Sequence, residues 1–510
     1  MRFLFVLRSA GLLSVFEAPI QGLCERGDEV LVLLEETAQL VPPFQRLESS
    51  VSGLTIRPGG APPGDDADLD LDASLRTTID YLRYFEPELQ RATKYRARCG
   101  RPLPKRLRGQ MDRAAGKSPE LRQALAAGLR AVERSLPVPN AVMDAVERER
   151  PDAVIVSPLL KRGSPQVNYL RAARRLGIPS ALCVASWDNL TSTGVIHEIP
   201  DLVTVWNETQ RQEAVRLHGV PPERIAVTGA PRFDAWFDHS PTTSREEYCR
   251  GLGLPADRPH LLYVGSHKFT APDEGEWISA WLSGLRASGH PELSEVPVVV
   301  RPHKEGALRL DSTAERRLSR EPGLVVHPRG GAAVVDDASL SEYFDSIHHA
   351  AAVVGINTSA LIEAAVVGRG VHVPLADRYR STQQDSPHFD HLRTVGGGLI
   401  VAAESAAEHA RDLAIALRSE DGDGASTRAR SFLAAFIRPH GLDRPATPLM
   451  VDALRALAAG SGVASGPQIG DLADVLRAML VPERPKREVP TKGRARRRRG
   501  VGPDRRQTAL

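Results

Sequence analysis

Short apolar runs alternate with amphipathic stretches along most of the chain. The series opens with RFLFVL (residues 2–7), continues with the helix-like FEAPIQGLCERG (16–27) and returns to an apolar run in EVLVLLE (29–35). Runs of four to eight apolar, β-branched residues closed by turn residues fit strands covered on both faces, as in a parallel sheet. The alternation resumes with strand DAVIVSP (152–158), helix SPQVNYLRAARRLG (164–177), strand IPSALCVAS (178–186), strand DLVTVWNE (201–208) and helix TQRQEAVRLHG (209–219). RIAVTGAPRFDAWF (224–237) reads as a strand leading out of the series, and turn residues then predict a domain boundary near 240–258.

A second series follows. HLLYVGSHKF, VPVVVRPHKEG, GLVVHP, AAVVG, GVHVPL and GGGLIVAA supply strands, while GEWISAWLSGLRASG, SLSEYFDSIHHA, SALIEAAVVG and SAAEHARDLAIALRS supply helices. The pattern predicts an α/β protein with two Rossmann-like domains facing a cleft, over residues 1–240 and 258–430. Residues 74–148 are polar and helix-prone, and read as a helical insertion in the first domain that forms a lid or a partner surface. Residues 431–460 read as helices split by Pro and Gly, and 481–510 as a disordered basic tail.

Charge changes the picture only at that tail. Its thirty residues hold 11 Lys and Arg against 3 acids, which leaves 55 basic against 60 acidic side chains in the rest of the 510-residue chain. The body is therefore mildly acidic, and nucleic acid is not an expected partner. The tail reads as a solvated end, with attraction to an anionic membrane leaflet as the alternative. Cys24, Cys99, Cys183 and Cys249 are widely spaced without a CxxC pair, which fits a reducing cytoplasm and neither a disulfide scaffold nor a thiolate zinc site. The first strand is not followed by GxGxxG, which argues against a dinucleotide cofactor, and no stretch is long enough for a membrane span.

Candidate chemistry begins at AAVVGINTSALIEAAVVGRGVHVPL (351–375), a strand, polar turn, helix and strand carrying one carboxylate, Glu363. In a doubly wound sheet that turn lies at the carboxyl ends of the strands, where ligands bind, and Thr358 or Ser359 can cap the helix. Glu363 is four residues after Ser359, so both share one helix face; it is either a solvated, dipole-stabilising acid or a ligand contact.

VTGAPRFDAWF, VVGINTSALIEAAVVGR, SWDNLTSTG, VWNETQRQEAVRLHG and FIRPHGLDRPATP make the chain resemble the two-domain GT-B superfamily over residues 150–455. Within it the resemblance is to the bacterial surface-polysaccharide branch of CDP-glycerol glycerophosphotransferases and relatives of UDP-N-acetylglucosamine 2-epimerases. It implies that the second domain binds a nucleotide-activated donor, that the first presents a glycan or lipid-linked acceptor, and that a late helix crosses back. It also implies Glu363 as the ribose ligand, with Asn357, Thr358 and Ser359 near the phosphates.

Two cationic loops are expected at the same cleft: Ser266, His267 and Lys268 in VGSHKF, and Arg301, His303 and Lys304 in VVVRPHKEG, for charge-assisted contacts to a pyrophosphate. His303 matches a superfamily histidine and joins Asp188 as a catalytic candidate. Glu17, Trp187, Asn189 and His197 complete the acceptor side, with Glu17, Asp188 and His197 as alternatives for the base. Asp188 reads equally as an Asx-turn residue. Asp188 and Asn189 replace a His-Gly pair typical of the glycerophosphotransferases, which counts against glycerol-phosphate transfer. The expected function is metal-independent transfer of a sugar or related group to an envelope polysaccharide or glycoconjugate, in the cytoplasm or at the inner face of the membrane. The alternatives are an enzyme like the UDP-N-acetylhexosamine 2-epimerases or the CDP-glycerol glycerophosphotransferases, and a non-catalytic nucleotide-binding or scaffold protein.

Overall fold

A computed structural model describes residues 1–59, 68–116, 118–418 and 424–460. The expected tail at 481–510 lies outside the described residues. Two parallel sheets carry the fold. The first contains β1 (Arg2–Leu7), β2 (Glu29–Leu34), β3 (Leu54–Pro58), β4 (Ala153–Ser157), β5 (Ser180–Cys183), β6 (Leu202–Val205) and β7 (Ile225–Val227), in the order β3-β2-β1-β4-β5-β6-β7. The second contains β8 (Leu261–Val264), β9 (Val298–Arg301), β10 (Leu324–Val326), β11 (Ala352–Gly355), β12 (Val371–Pro374) and β13 (Val401–Ala403), in the order β10-β9-β8-β11-β12-β13. Both are doubly wound, with the order reversing beside their first strand, so each has a ligand-binding crevice at the carboxyl end of that strand.

Burial on both faces explains the uninterrupted apolar runs. In β1, Leu4 and Val6 join one core while Phe3, Phe5 and Leu7 join the other; in β8, Leu262 and Val264 face away from Leu261 and Tyr263. Gly355 closes β11 because a Cβ there would come within 3.0 Å of both Leu361 and Val264 side chains.

Some boundaries differ from the sequence reading. The first helix starts at Ala10, not residue 16, because Leu13, Phe16, Ile20 and Leu23 form one continuous buried stripe. The helix Pro42–Ser50 and β3 were not anticipated; β3 buries only Leu54 and Ile56, too few positions for a clear period. The strand expected over 224–237 ends at Val227, and Pro231–Phe233 and Asp234–Asp238 are helical turns. The turn-rich stretch near 240–258 holds a helix, Arg245–Leu252, started by a Ser244–Glu247 capping box.

The insertion contains five α-helices, Asp68–Leu82, Thr93–Gly100, Lys105–Ala115, Pro119–Ser135 and Asn140–Glu149. A buried guanidinium anchors it: Arg76 donates to Glu133 (2.8 Å), Asp72 (3.1 Å), Asn168 (2.7 Å) and the Ser164 carbonyl (2.9 Å). The insertion also reaches the second domain, where Tyr95 packs edge-on against Phe269 at 5.2 Å and Arg98 lies 4.0 Å above the same ring.

The last helix, Ala446–Ala458, packs Met450, Val451, Leu454 and Leu457 into the first domain's core. Asp234 ties down the segment leading to it. Its Oδ1 accepts from Arg438 (3.1 and 2.7 Å) and the Ala446 N–H (3.1 Å), while Oδ2 accepts from the Thr447 N–H and hydroxyl, both at 2.7 Å. Gly229, at φ +83°, leaves room for this crossing: a Cβ would lie 2.8 Å from Ala446 Cβ.

Candidate functional site

A cavity of about 300 Å³ lies where the two domains face each other, at the small end of the range for ligand sites. The first domain contributes Gly11, Ser14 and Val15 from its opening helix, with Arg232 and Trp236 from the PRFDAWF turns; the second contributes residues around Arg301–Lys304, Tyr343 and Thr358–Glu363.

Glu363 projects from the helix Ala360–Val366 and is 5% exposed. Arg232 Nη2 donates to its Oε1 at 3.1 Å across the domain boundary. Burial first, then the neighbouring Glu363 carboxylate, pushes the Tyr343 phenol pKa well above its usual value. A carboxylate has about four acceptor sites, so Glu363 retains capacity for a ligand hydroxyl. Thr358 and Ser359 line the cavity, although neither is a strong cap: Ser359 has helical dihedrals, and Thr358 Oγ1 is 3.5 Å from the Ala360 N–H. Asn357 turns to another task, donating to the Thr382 carbonyl at 2.9 Å and Ser386 at 3.1 Å.

The two cationic loops divide in function. Arg301 is 5% exposed and donates to Glu342 at 2.7 Å, with its guanidinium 4.0 Å above the Tyr343 ring. Burial pushes the Glu342 pKa up, but donors from His327 and Arg301 outweigh it and hold the group down at about 2. Arg301 is therefore paired by the protein through Nη1, while its Nη2 is buried without a hydrogen-bond partner. Lys304 is exposed, has no ion pair or hydrogen bond from its ammonium among the described residues, and points toward the first domain, 3.6 Å from where a Cβ on Gly11 would stand.

His303 lines the cavity, and burial, followed by His267, lowers its pKa to about 4. Its Nδ1 accepts from the Glu305 N–H at 3.0 Å, so the neutral ring carries its proton on Nε2. Such a ring is a hydrogen-bond donor and not a base. Ser266, His267 and Lys268 do not line the cavity. The Ser266 N–H is taken by both oxygens of Glu274 (2.9 and 3.0 Å), His267 Nδ1 accepts from the Phe269 N–H (2.9 Å), and Lys268 is exposed.

The SWDN loop is architectural. Both Asp188 oxygens are taken, by Ser186 (2.6 Å) and Ser192 (2.9 Å), and Asn189 Oδ1 accepts the N–H groups of Ala185 (3.2 Å) and Ser186 (3.1 Å). Burial opposes the charge on Asp188, but His388 and the two hydroxyls together hold its pKa below the usual range. Trp187 is 5% exposed and meets His388 edge-on at 4.9 Å, closing the domain contact. His197 is 2.9 Å from Asp80 of the insertion and lines a different cavity. Glu17 lies one turn beyond Ser14 on the opening helix, and its pKa is raised by burial first, then by Asp337 and Asp336 of the second domain.

The sequence reading missed Arg232, Trp236, Tyr343 and Glu342. Arg232 and Trp236 fall in the stretch expected as a strand, where Arg232 stood out as a lone cation in GAPRF; Glu342 and Tyr343 read as ordinary helix residues. No group of three or more His, Cys, Asp or Glu side chains that could hold a metal occurs among the described residues, and no helix among them is long and apolar enough to cross a membrane.

No protein-family model and no curated protein matches the sequence. Solved structures do match in fold. A protein described as a UDP-N-acetylglucosamine 2-epimerase from Listeria monocytogenes superposes with TM-score 0.51 at 10% identity, over 92% of this chain and 99% of that one. The Neisseria meningitidis UDP-N-acetylglucosamine 2-epimerase bound to UDP-N-acetylglucosamine gives 0.49 at 11% identity, over 89% and 100%. Phytolacca americana UGT2, complexed with UDP-2-fluoroglucose and pterostilbene, gives 0.48 at 13% identity, over 90% and 100%. The likeness is one of architecture: the chain has a GT-B-like fold.

Proposed function

We propose that the chain is a transferase that takes a nucleotide-activated donor into the cleft and passes a sugar or related group to an envelope polysaccharide or glycoconjugate. One arrangement carries this reading. A buried carboxylate, Glu363, lines a cavity that also holds the unpaired Lys304 and the hydrogen-bond donor His303, with both domains contributing to the lining. The carboxylate suits ribose hydroxyls. Lys304 and the His303 Nε2–H suit a diphosphate that gains charge as it leaves. On the acceptor side Glu17, outside the cavity lining but one turn beyond Ser14 and with its pKa raised by burial, is the carboxyl we assign to take a proton from an incoming hydroxyl.

The test is binding and turnover with UDP, CDP, GDP and dTDP and their sugar and glycerol conjugates, comparing wild type with Glu363→Gln. Glutamine is the informative change, because alanine would also free Arg232 beside the site. One nucleotide family should bind, and the variant should weaken it by about tenfold to a hundredfold, the value of a hydrogen bond to a charged group. Inorganic pyrophosphate binding should be unaffected. The fold shared with the Listeria protein makes epimerisation the second reading. Release of free nucleotide when acceptor is present supports transfer, an isomerised nucleotide-sugar supports epimerisation, and binding without either supports the scaffold. Absence of nucleotide binding would refute the donor-site assignment.

A further inference from the structure

A second cavity, of about 460 Å³, opens between the helical insertion and the first domain, and shares no lining residue with the cleft. Its floor is apolar, formed by residues such as Ile79, Leu82 and Ile199, while its rim is rich in arginine. The loop and helix that form its first-domain wall, around 195–199 and 216–219, return the chain to the amino ends of β6 and β7. The cleft is built at the opposite, carboxyl ends of the strands.

The arginines of this cavity fall into two groups. Arg83 donates to the Leu190 carbonyl at 2.7 Å and the Thr193 carbonyl at 3.2 Å, and Arg122 forms a two-pronged pair with Glu86 at 3.0 and 2.9 Å. These hold the insertion in place. Arg130, Arg134 and Arg216 make no hydrogen bond or ion pair among the described residues. Arg130 and Arg134 lie four residues apart on the helix Pro119–Ser135, so they share a face and repel. Arg130 is partly buried, and burial, then Arg134, lowers its guanidinium pKa.

The nearby acids relieve this charge only in part: Asp80, Glu133 and Glu86 act on Arg130 against burial and Arg134, but none is hydrogen-bonded to it. Glu86 is paired with Arg122, Asp80 Oδ1 with His197 and the Val195 N–H, and Glu133 Oε1 with Arg76 and Arg171, while Asp80 Oδ2 and Glu133 Oε2 are buried without a hydrogen-bond partner. Glu88 is the remaining acid in the lining, and it is exposed. Deep in the cavity, Arg83 Nε and His197 Nδ1 are buried without a hydrogen-bond partner. Three unpaired guanidiniums around a concave surface with an apolar floor are unfavourable in isolation and complementary to a multivalent oxyanion attached to an apolar or neutral body.

We propose that this cavity is a binding site for a phosphate- or diphosphate-bearing ligand, gripped by Arg130, Arg134 and Arg216 and separate from the donor cleft. A free phosphorylated molecule and the headgroup of an anionic lipid share the required chemistry, and the test separates them. The full chain is modified with phenylglyoxal, and the extent of reaction at the three arginines is read by peptide mass spectrometry. Protection is measured with inorganic pyrophosphate, and separately with phosphatidylcholine vesicles with and without phosphatidylglycerol. A Lys304→Gln background weakens any contribution from the cleft. Saturable protection by pyrophosphate supports a soluble phosphorylated ligand; protection by phosphatidylglycerol vesicles alone supports a headgroup.

Calorimetric titration of the Arg130→Gln/Arg134→Gln variant should show binding weakened by about tenfold or more, the loss expected when charge-assisted contacts are removed. Arg216→Gln, an exposed position whose change leaves the insertion's anchors intact, should reproduce the direction of the effect and guards against misfolding of the double variant. Equal modification with and without both probes, or unchanged affinity in both variants, would overturn the proposal.

Discussion

The tie at Asp234 gives a sharp quantitative prediction. Its carboxylate is 6% exposed, Arg438 is 4% exposed, and five hydrogen bonds converge on its two oxygens from Arg438, Ala446 and Thr447. Asp234→Ala leaves the guanidinium buried without its counter-charge and strips the first N–H groups of the helix Ala446–Ala458 of their acceptor. Removing one partner of such a pair costs about 3–5 kcal/mol. Asp234→Asn preserves the shape but sets an amide NH₂ against donors on one side. With the NH₂ toward Thr447, the hydroxyl can turn to accept while the N–H loses its partner, so the cost should be about 1–3 kcal/mol. Urea unfolding followed by tryptophan fluorescence reads this locally, because Trp236 is two residues away and Trp206 packs 6.4 Å from Phe436. The order of midpoints should be wild type, Asn, then Ala. Asp234→Leu combined with Arg438→Met should recover much of the loss, since an apolar pair of similar volume replaces a buried ion pair at little cost. A midpoint for Asp234→Ala equivalent to less than about 0.5 kcal/mol from wild type would refute the reasoning.

Two further predictions rest on other buried charges. Arg76→Met removes four hydrogen bonds, two within the insertion's helices (Asp72 and Glu133) and two to the first domain (the Ser164 carbonyl and Asn168), and should cost about 3–5 kcal/mol, with limited proteolysis cutting first within 74–148; unchanged proteolysis would show that the insertion is held elsewhere. Glu35 is pushed up to about 7, chiefly by burial and with a contribution from Glu36, against lowering by Gln166, Lys161 and Arg8. Because its folded pKa is raised, the native state binds the extra proton between the ordinary glutamate value and about 7, and stability is lost as pH rises through that window. Glu35→Gln should remove this loss, so the variant's Tm should gain on wild type between about pH 5 and pH 8. A constant Tm difference across that range would contradict the assignment.

Much of the fold was legible because the evidence for a buried parallel strand is local. RFLFVL, DAVIVSP and AAVVG each declare themselves in a few residues, and the helices between them keep a buried stripe at helical spacing. What escaped was weakly patterned or required a competing reading. β3 buries two residues, and the 240–258 stretch was read through its Pro and Gly content although S-R-E-E contains a capping box. The candidate site was legible by residue type and only partly by position. Glu363, Thr358, Ser359, His303, Arg301 and Lys304 do gather at one cavity. Asn357, Ser266, Trp187 and His197 are occupied elsewhere by partners distant in sequence, His267, Asp188 and Asn189 by neighbours within four residues, and Lys268 is exposed outside the cavity lining.

That difference also indicates which charges are free to act on a ligand. Glu363 and Arg232 are 131 residues apart, and Arg301 and Glu342 are 41 apart, yet each pair shares hydrogen bonds in the folded chain. A cation already bound to a protein carboxylate contributes little further attraction to an incoming anion, since moving it would expose the carboxylate to the same anion. Arg301, the strongest phosphate candidate by residue type, is thereby assigned mainly to holding the wall, and Lys304 inherits the electrostatic role. The same reasoning separates Arg83 and Arg122 from Arg130, Arg134 and Arg216 in the second cavity. In both places the informative quantity is the charge left after internal pairing. It is a property of the folded chain, and it puts the two proposed anion sites at opposite ends of the first-domain sheet.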